Sequence, residues 1–287
     1  MTYFCSSGNG LPGWFDSTGE HSVTHSKPKA HNERKVTIMY TMRTKTATSG
    51  FSAPFSYWNI YRTIGQQQNT LIAGTTGSGK STVLHGVIHA ICCEQSAAVC
   101  NLWIADPKRV DMIEWLDMKT PQLSRYANTT EDIKCMIEDL VVVMEERFKY
   151  MESHRIKAYD GKRIYLIVDE LGDLVMNDRH IVDSLKRILQ LGRAAGIRTI
   201  LCTQSPSRQT LPAVLQVNFT ARLALRCVSA IESRQVLNCS GAELLPRYGK
   251  GIFLSPDYGM NTVDLPLQDH NATKEMIEWH KANTTYR

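Results

Sequence analysis

Leu71-Ile-Ala-Gly-Thr-Thr-Gly-Ser-Gly-Lys-Ser-Thr82 decides how this chain is read. It fits G-x-x-x-x-G-K-[ST] at Gly74, Gly79, Lys80 and Ser81, with an apolar run leading in and a helix-like run leading out. Glycines let such a loop curl with its N–H groups pointing inward, and the following helix adds its positive end. Gly74, Thr75, Thr76, Gly77, Ser78, Gly79, Lys80, Ser81 and Thr82 are therefore read as a cradle for the phosphates of ATP. Lys80 would reach the β- and γ-phosphates, and the Ser81 hydroxyl would ligate Mg²⁺.

A phosphate loop needs a partner acid. Arg163-Ile-Tyr-Leu-Ile-Val-Asp-Glu170 supplies one as an apolar, β-branched strand ending in two carboxylates. Asp169 is read as holding the Mg²⁺ hydration shell and Glu170 as polarising the attacking water. A buried strand with an acidic exposed end would give the same letters, but the loop upstream favours the nucleotide reading.

Outward from these two stretches the pattern alternates. Strands are expected near 69–74, 99–105, 163–169, 198–202 and 220–226, with helices over 79–92, 109–117, 131–153 and 178–194 between them. A short helix around 230–237, strands near 250–254 and 262–266 and a closing helix over 272–283 follow. Such a series predicts an α/β fold with a mostly parallel sheet flanked by helices, and ligands gathered at the carboxyl ends of the strands. The P-loop, Asp106, Asp169 and Gln204 all fall at such ends. In the long helix, Ile133, Met136, Ile137, Leu140, Met144, Phe148 and Met151 mark one packing face.

With 287 residues and 43% hydrophobic content, the chain can bury one large core. No run of eighteen apolar residues and no signal-peptide pattern is present, so a soluble, cytoplasmic protein is expected. The eight cysteines form no C-x-x-C pair and are read as free thiols. His85 and His89 stand at i, i+4, but Gly86 occupies the place where a zinc protease needs a glutamate, so they are read as packing or surface residues. Residues 1–65 hold seven Lys/Arg against three acids and are read as a basic, flexible arm ahead of a motor-sized domain over 66–287.

The ordered set of stretches resembles the FtsK/SpoIIIE family of DNA-translocating ATPases. To the P-loop and acidic strand it adds Ala105-Asp-Pro-Lys108, Met144-Glu-Glu-Arg-Phe-Lys-Tyr-Met151, Gly192-Arg-Ala-Ala-Gly-Ile197 and Thr203-Gln-Ser-Pro-Ser207. Phe219-Thr-Ala-Arg-Leu-Ala-Leu225, Ile231-Glu-Ser-Arg-Gln-Val-Leu237, Gly241-Ala-Glu-Leu-Leu245 and Gly249-Lys-Gly251 extend the likeness across residues 69–254. It implies a RecA-like P-loop NTPase that forms a homo-oligomeric ring, usually a hexamer, and drives double-stranded DNA through its channel. By the same resemblance Gln204 is the polar sensor of the γ-phosphate. Arg193 corresponds to the arginine that reaches a neighbouring subunit's ATP, where a cation stabilises charge on the transferring phosphoryl group. A helix-terminal arginine facing the macrodipole is the plainer reading of Arg193, with Arg222 or Arg234 as other sources of a trans cation.

The chain also departs from the family pattern. Ser205 stands where an arginine usually follows the sensor glutamine, and Arg208 is the replacement offered for the pore loop. Ala230 stands where the family commonly has a lysine near the subunit interface. Only about 33 residues follow Leu254, too few for a winged-helix DNA-reading module, so sequence-directed chromosome sorting is not expected. The reading is a stripped-down double-stranded DNA pump of the kind found on conjugative elements, with a relaxase or membrane channel protein as recruiting partner. A protein-export ATPase resembling type VII secretion motors is the alternative, and a scaffold that binds ATP without turnover is disfavoured by the presence of Glu170, Gln204 and Arg193.

Overall fold

A computed structural model describes residues 57–95, 98–117, 122–266 and 278. The basic segment before residue 57 and, but for Glu278, the helix expected over 272–283 lie outside the described residues. The chain runs α1 (Tyr57–Gln66), β1 (Asn69–Ala73), α2 (Lys80–Glu94), β2 (Cys100–Ala105), α3 (Glu114–Asp117), β3 (Leu123–Ala127) and α4 (Thr130–His154). It continues through β4 (Arg163–Val168), α5 (Gly172–Asn177), α6 (Arg179–Leu191), β5 (Ile197–Thr203), α7 (Ala213–Gln216), β6 (Ala221–Ala224) and α8 (Ala230–Leu237). A 3-10 turn (Ala242–Leu244), β7 (Lys250–Ser255) and β8 (Gly259–Asp264) complete it.

Among the described residues the strands form one eight-stranded sheet in the order β3-β2-β4-β5-β1-β6-β7-β8. The six strands from β3 to β6 pair in parallel. The β7–β8 hairpin closes one edge antiparallel. β1 and β2 are buried at every position, as strands covered on both faces must be. Alternate residues feed two cores. Leu71, Ala73, Leu166 and Val168 join the cluster built with α4 and α6, while Ile72, Ile104 and Ile167 join the one built with α1 and α2. Cys92, Cys100, Cys202 and Cys227 pack within these cores as small apolar groups.

The mostly parallel α/β sheet is as expected from the sequence, but several elements differ. α1 lies partly inside the segment read as a flexible arm, yet Ile60, Tyr61 and Ile64 are buried against α2. Gly86 makes that contact possible, because a Cβ there would stand 2.6 Å from the Tyr61 ring. The folded unit thus begins upstream of residue 66. The helix expected over 109–117 contracts to α3, because the Asp106 carboxylate gathers the preceding turn through the Arg109 and Met112 N–H groups. β3 was not expected; it is a polar edge strand whose Ser124 and Arg125 hide the alternation. On α4, Phe148 is only partly buried and Arg147 takes the inward position. Its guanidinium bonds the carbonyls of Ala195 (2.6 Å) and Lys162 (2.8 Å) and lies over the Tyr159 ring. His85 is a packing residue, its Nδ1 accepting from the Trp115 indole at 2.6 Å.

Candidate functional site

The P-loop leaves β1 at the centre of the sheet, between the carboxyl ends of β5 and β6. The Gly74 N–H donates to the Thr203 carbonyl (3.2 Å) and that of Thr75 to the Arg226 carbonyl (2.9 Å), which pins the loop to both neighbours. Gly74 admits no side chain: a Cβ would meet Ser78 Oγ at 2.6 Å and Leu225 Cβ at 2.7 Å. Gly77 and Gly79 take left-handed φ values of 74° and 95°. Gly79 then begins α2 with no side-chain cap, so the N–H groups of the first turn stay available to a phosphate. Lys80 is buried beneath the loop, and Ser81 and Thr82 follow on the first turn.

Across the sheet, β4 delivers Asp169 and Glu170. Asp169 is fully buried; its Oδ2 accepts from Lys108 Nζ at 3.3 Å, while its Oδ1 has no hydrogen-bond partner. Burial raises the Asp169 carboxyl to about 6, with Lys80 and Lys108 drawing it back down. A buried carboxylate oxygen left unpartnered, with Lys80 near enough to draw the carboxyl down, fits a hard divalent cation such as Mg²⁺. Glu170 is held differently. It accepts from the Gly172 N–H at 3.2 Å and from the Gln204 N–H at 3.2 and 3.3 Å, so both β5 and α5 set its place.

Gln204 therefore faces two ways. Its backbone holds Glu170, and its side-chain Oε1 accepts from Thr76 Oγ1 of the P-loop at 2.8 Å. The loop that follows is folded around Ser207 and Thr210: Ser207 N–H donates to Thr210 Oγ1 (2.9 Å) and Thr210 N–H to Ser207 Oγ (3.2 Å). Arg208 stands exposed on it and lines a groove of about 520 Å³ with Pro206, Ile231 and Arg234. Ser205 donates to Glu232 at 3.4 Å.

The structure does not bring every expected residue to this cradle. Arg193 is exposed just before β5, at the amino end of the sheet, whereas the P-loop lies at the carboxyl end. Six residues of strand rise separate the two ends, roughly 20 Å. Arg193 cannot serve the nucleotide of its own chain, and the turn that carries it is fastened by Arg147 through Ala195. Arg222 is committed elsewhere, donating to the carbonyls of Val236 (3.0 Å) and Gln216 (3.1 Å). Two cations were missed by the sequence reading. Lys108 lies 3.4 Å from Glu170 as well as 3.3 Å from Asp169. Arg247 lies against the P-loop, where a Cβ on Gly77 would come 3.2 Å from its Nη2. Lys108 ends the stretch Ala105-Asp-Pro-Lys108, whose letters alone give it no chemistry, and no sequence spacing marks Arg247.

Residues 58–165 match the FtsK/SpoIIIE family model, which bears out the resemblance read from the sequence. The chain is similar to the DNA translocase FtsK of Mycobacterium leprae, 29% identical over 222 residues that make up 68% of this chain and 26% of that protein. It is likewise similar to that of Halalkalibacterium halodurans, 30% identical over 218 residues, 68% of this chain and 27% of the relative. The chain thus spans about a quarter of the length of these curated relatives. Among solved structures, the pCW3 conjugation coupling protein TcpA with ATPγS aligns at TM-score 0.63 and 19% identity, over 75% of this chain and 66% of that one. EssC of Geobacillus thermodenitrificans (ATPases 2 and 3) aligns at TM-score 0.67 and 16% identity, over 77% and 44%. At these identities the structural likeness speaks for the P-loop ATPase fold alone.

Proposed function

We propose that this chain, whose residues 58–165 carry the FtsK/SpoIIIE family signature, is an ATP-driven double-stranded DNA translocase that works as a ring, usually a hexamer, in DNA transfer of a mobile element. The observation that carries this reading is the double attachment of Gln204, which ties Thr76 of the phosphate loop and the Glu170 carboxylate to the start of the loop bearing Arg208. A change at the γ-phosphate would be felt at Thr76 and Glu170, and through Gln204 at a cationic loop on the same end of the sheet. That is the linkage a motor needs between hydrolysis and movement of a polyanion.

In the reaction, Lys80 and the first-turn N–H groups of α2 bind the phosphates, and Glu170 takes the proton of the attacking water. Ser81 and Asp169 would hold Mg²⁺, which supplies charge neutralisation at the transferring phosphoryl group. Arg193 is assigned to the neighbouring subunit's nucleotide. In this reading the motor works in the cytoplasm, where ATP is available, and a relaxase or channel protein recruits it. No helix among the described residues is long and apolar enough to cross a membrane. The likeness to EssC is one of fold and does not favour protein export.

A motor that grips phosphates reads charge and shape, so its affinity should fall steeply with salt and vary little with sequence. The test is a salt titration of binding to linear duplexes of unrelated sequence, in the presence of a non-hydrolysable ATP analogue. Arg208→Ala is expected to make the log–log slope shallower by about one, because one phosphate contact and its counterion release are lost. An unchanged slope would remove Arg208 from the DNA path, and the absence of any DNA binding would remove the proposal.

A further inference from the structure

Lys108 has no role in the proposed reaction, yet its ammonium stands between the two carboxylates that the reaction uses. Nζ lies 3.3 Å from Asp169 Oδ2, 3.4 Å from Glu170 Oε2 and 3.9 Å from Asp111 Oδ2. Asp169 and Glu170 are both buried, and two adjacent enclosed carboxylates repel each other unless a counter-charge is present. Lys80 acts on Asp169 from the loop, and Lys108 is the cation in contact with both. The backbone that delivers it is fixed. Asp106 accepts from the N–H groups of Arg109 (3.1 Å) and Met112 (3.0 Å) and from the Tyr126 hydroxyl (3.0 Å). Arg109, at a left-handed φ of 62°, bonds the Asn128 carbonyl at 3.1 Å. Trp115 then anchors the following helix to His85. With its backbone held on both sides, Lys108 has a flexible four-carbon stem as its movable part.

We propose that Lys108 is the resident counter-cation of the nucleotide-free site, and that its ammonium keeps a divalent cation off Asp169 until ATP arrives. The proposal rests on the reading of Asp169 as the metal-shell acid. Without nucleotide, this ammonium in contact with both carboxylates, together with that of Lys80 near Asp169, offsets the negative potential that would draw a free divalent ion. The phosphates of ATP bring enough negative charge to satisfy both cations, so metal is admitted only together with nucleotide. An idle motor would then hold no stray metal in its catalytic pair.

Mn²⁺ is the probe, titrated into the nucleotide-free protein and followed by electron paramagnetic resonance of the free ion. Lys108→Met keeps the stem and removes the charge, and the side chain is 23% exposed, so the fold should tolerate it. Unit charges about 4 Å apart near a protein surface interact by more than one decade in binding. The Lys108→Met chain should therefore bind Mn²⁺ at least about tenfold more tightly than the parent. Lys108→Arg should stay near the parent, and Asp169→Asn added to Lys108→Met should remove the gain. Equal Mn²⁺ affinity in parent and Lys108→Met, an arginine variant behaving like the methionine one, or a gain that survives Asp169→Asn would each overturn the proposal. Failure of the underlying site reading would show separately, as a parent chain that binds no fluorescent ATP analogue whatever its response to Mn²⁺.

Discussion

A chain carrying Lys80→Ala should bind no ATP, whereas one carrying Glu170→Gln should bind ATP as the parent does and hydrolyse it about 10²- to 10⁴-fold more slowly. The two defects differ because the two residues act at different stages. Lys80 is buried under the loop, so removing its ammonium takes away the charge assigned to the β- and γ-phosphates. Glu170 lies just beyond β4 and is held by the Gln204 and Gly172 N–H groups, and an amide of the same shape keeps the pocket but accepts no proton. Equilibrium binding of a fluorescent ATP analogue, set beside steady-state phosphate release, separates the two. Parent-like binding and turnover in both variants would refute the assignment of the site.

The second large effect is expected at Arg193. Its place at the amino end of the sheet, roughly 20 Å from its own P-loop, accords with the role proposed for it at a neighbouring subunit's nucleotide. Arg193→Ala should therefore cost about 10³- to 10⁵-fold in turnover, the range that trans-acting arginines supply in other P-loop enzymes. Mixing provides the control. Arg193→Ala subunits keep a sound pocket and Lys80→Ala subunits keep a sound arginine, so mixed rings contain some interfaces where the two meet. The mixture should recover activity that neither variant has alone. No recovery, with co-assembly verified by mass, would make Arg193 a structural residue and direct attention to Arg234, since Arg222 is already bound to two carbonyls.

How much of this was legible in the sequence depends on whether the information was local. The P-loop and the acidic residues after β4 could be read because each compresses its chemistry into a few consecutive residues, and the parallel core strands because burial on both faces makes them apolar along most of their length. α1 was hidden by its setting. It follows directly on a basic, polar segment, and the seat that Gly86 leaves for Tyr61 shows that the helix belongs to the core. β3 was hidden because an edge strand has no need of a buried alternation. Arg147 was passed over in favour of Phe148, since helical spacing cannot tell that two carbonyls and a tyrosine ring await a guanidinium. Lys108 and Arg247 meet the site only through tertiary contacts far along the chain, 61 residues in the case of Lys108 and Asp169, and no local pattern encodes such a meeting.

In the proposed function, hydrolysis in this chain is coupled to double-stranded DNA. The most direct test is the ATPase rate of the purified protein with and without linear duplex DNA at fixed salt. The expected result is a clear stimulation that saturates with DNA, does not depend on its sequence, and weakens as salt is raised. A rate indifferent to duplex DNA, in a protein that hydrolyses ATP and assembles, would contradict it and point to protein export or another cargo.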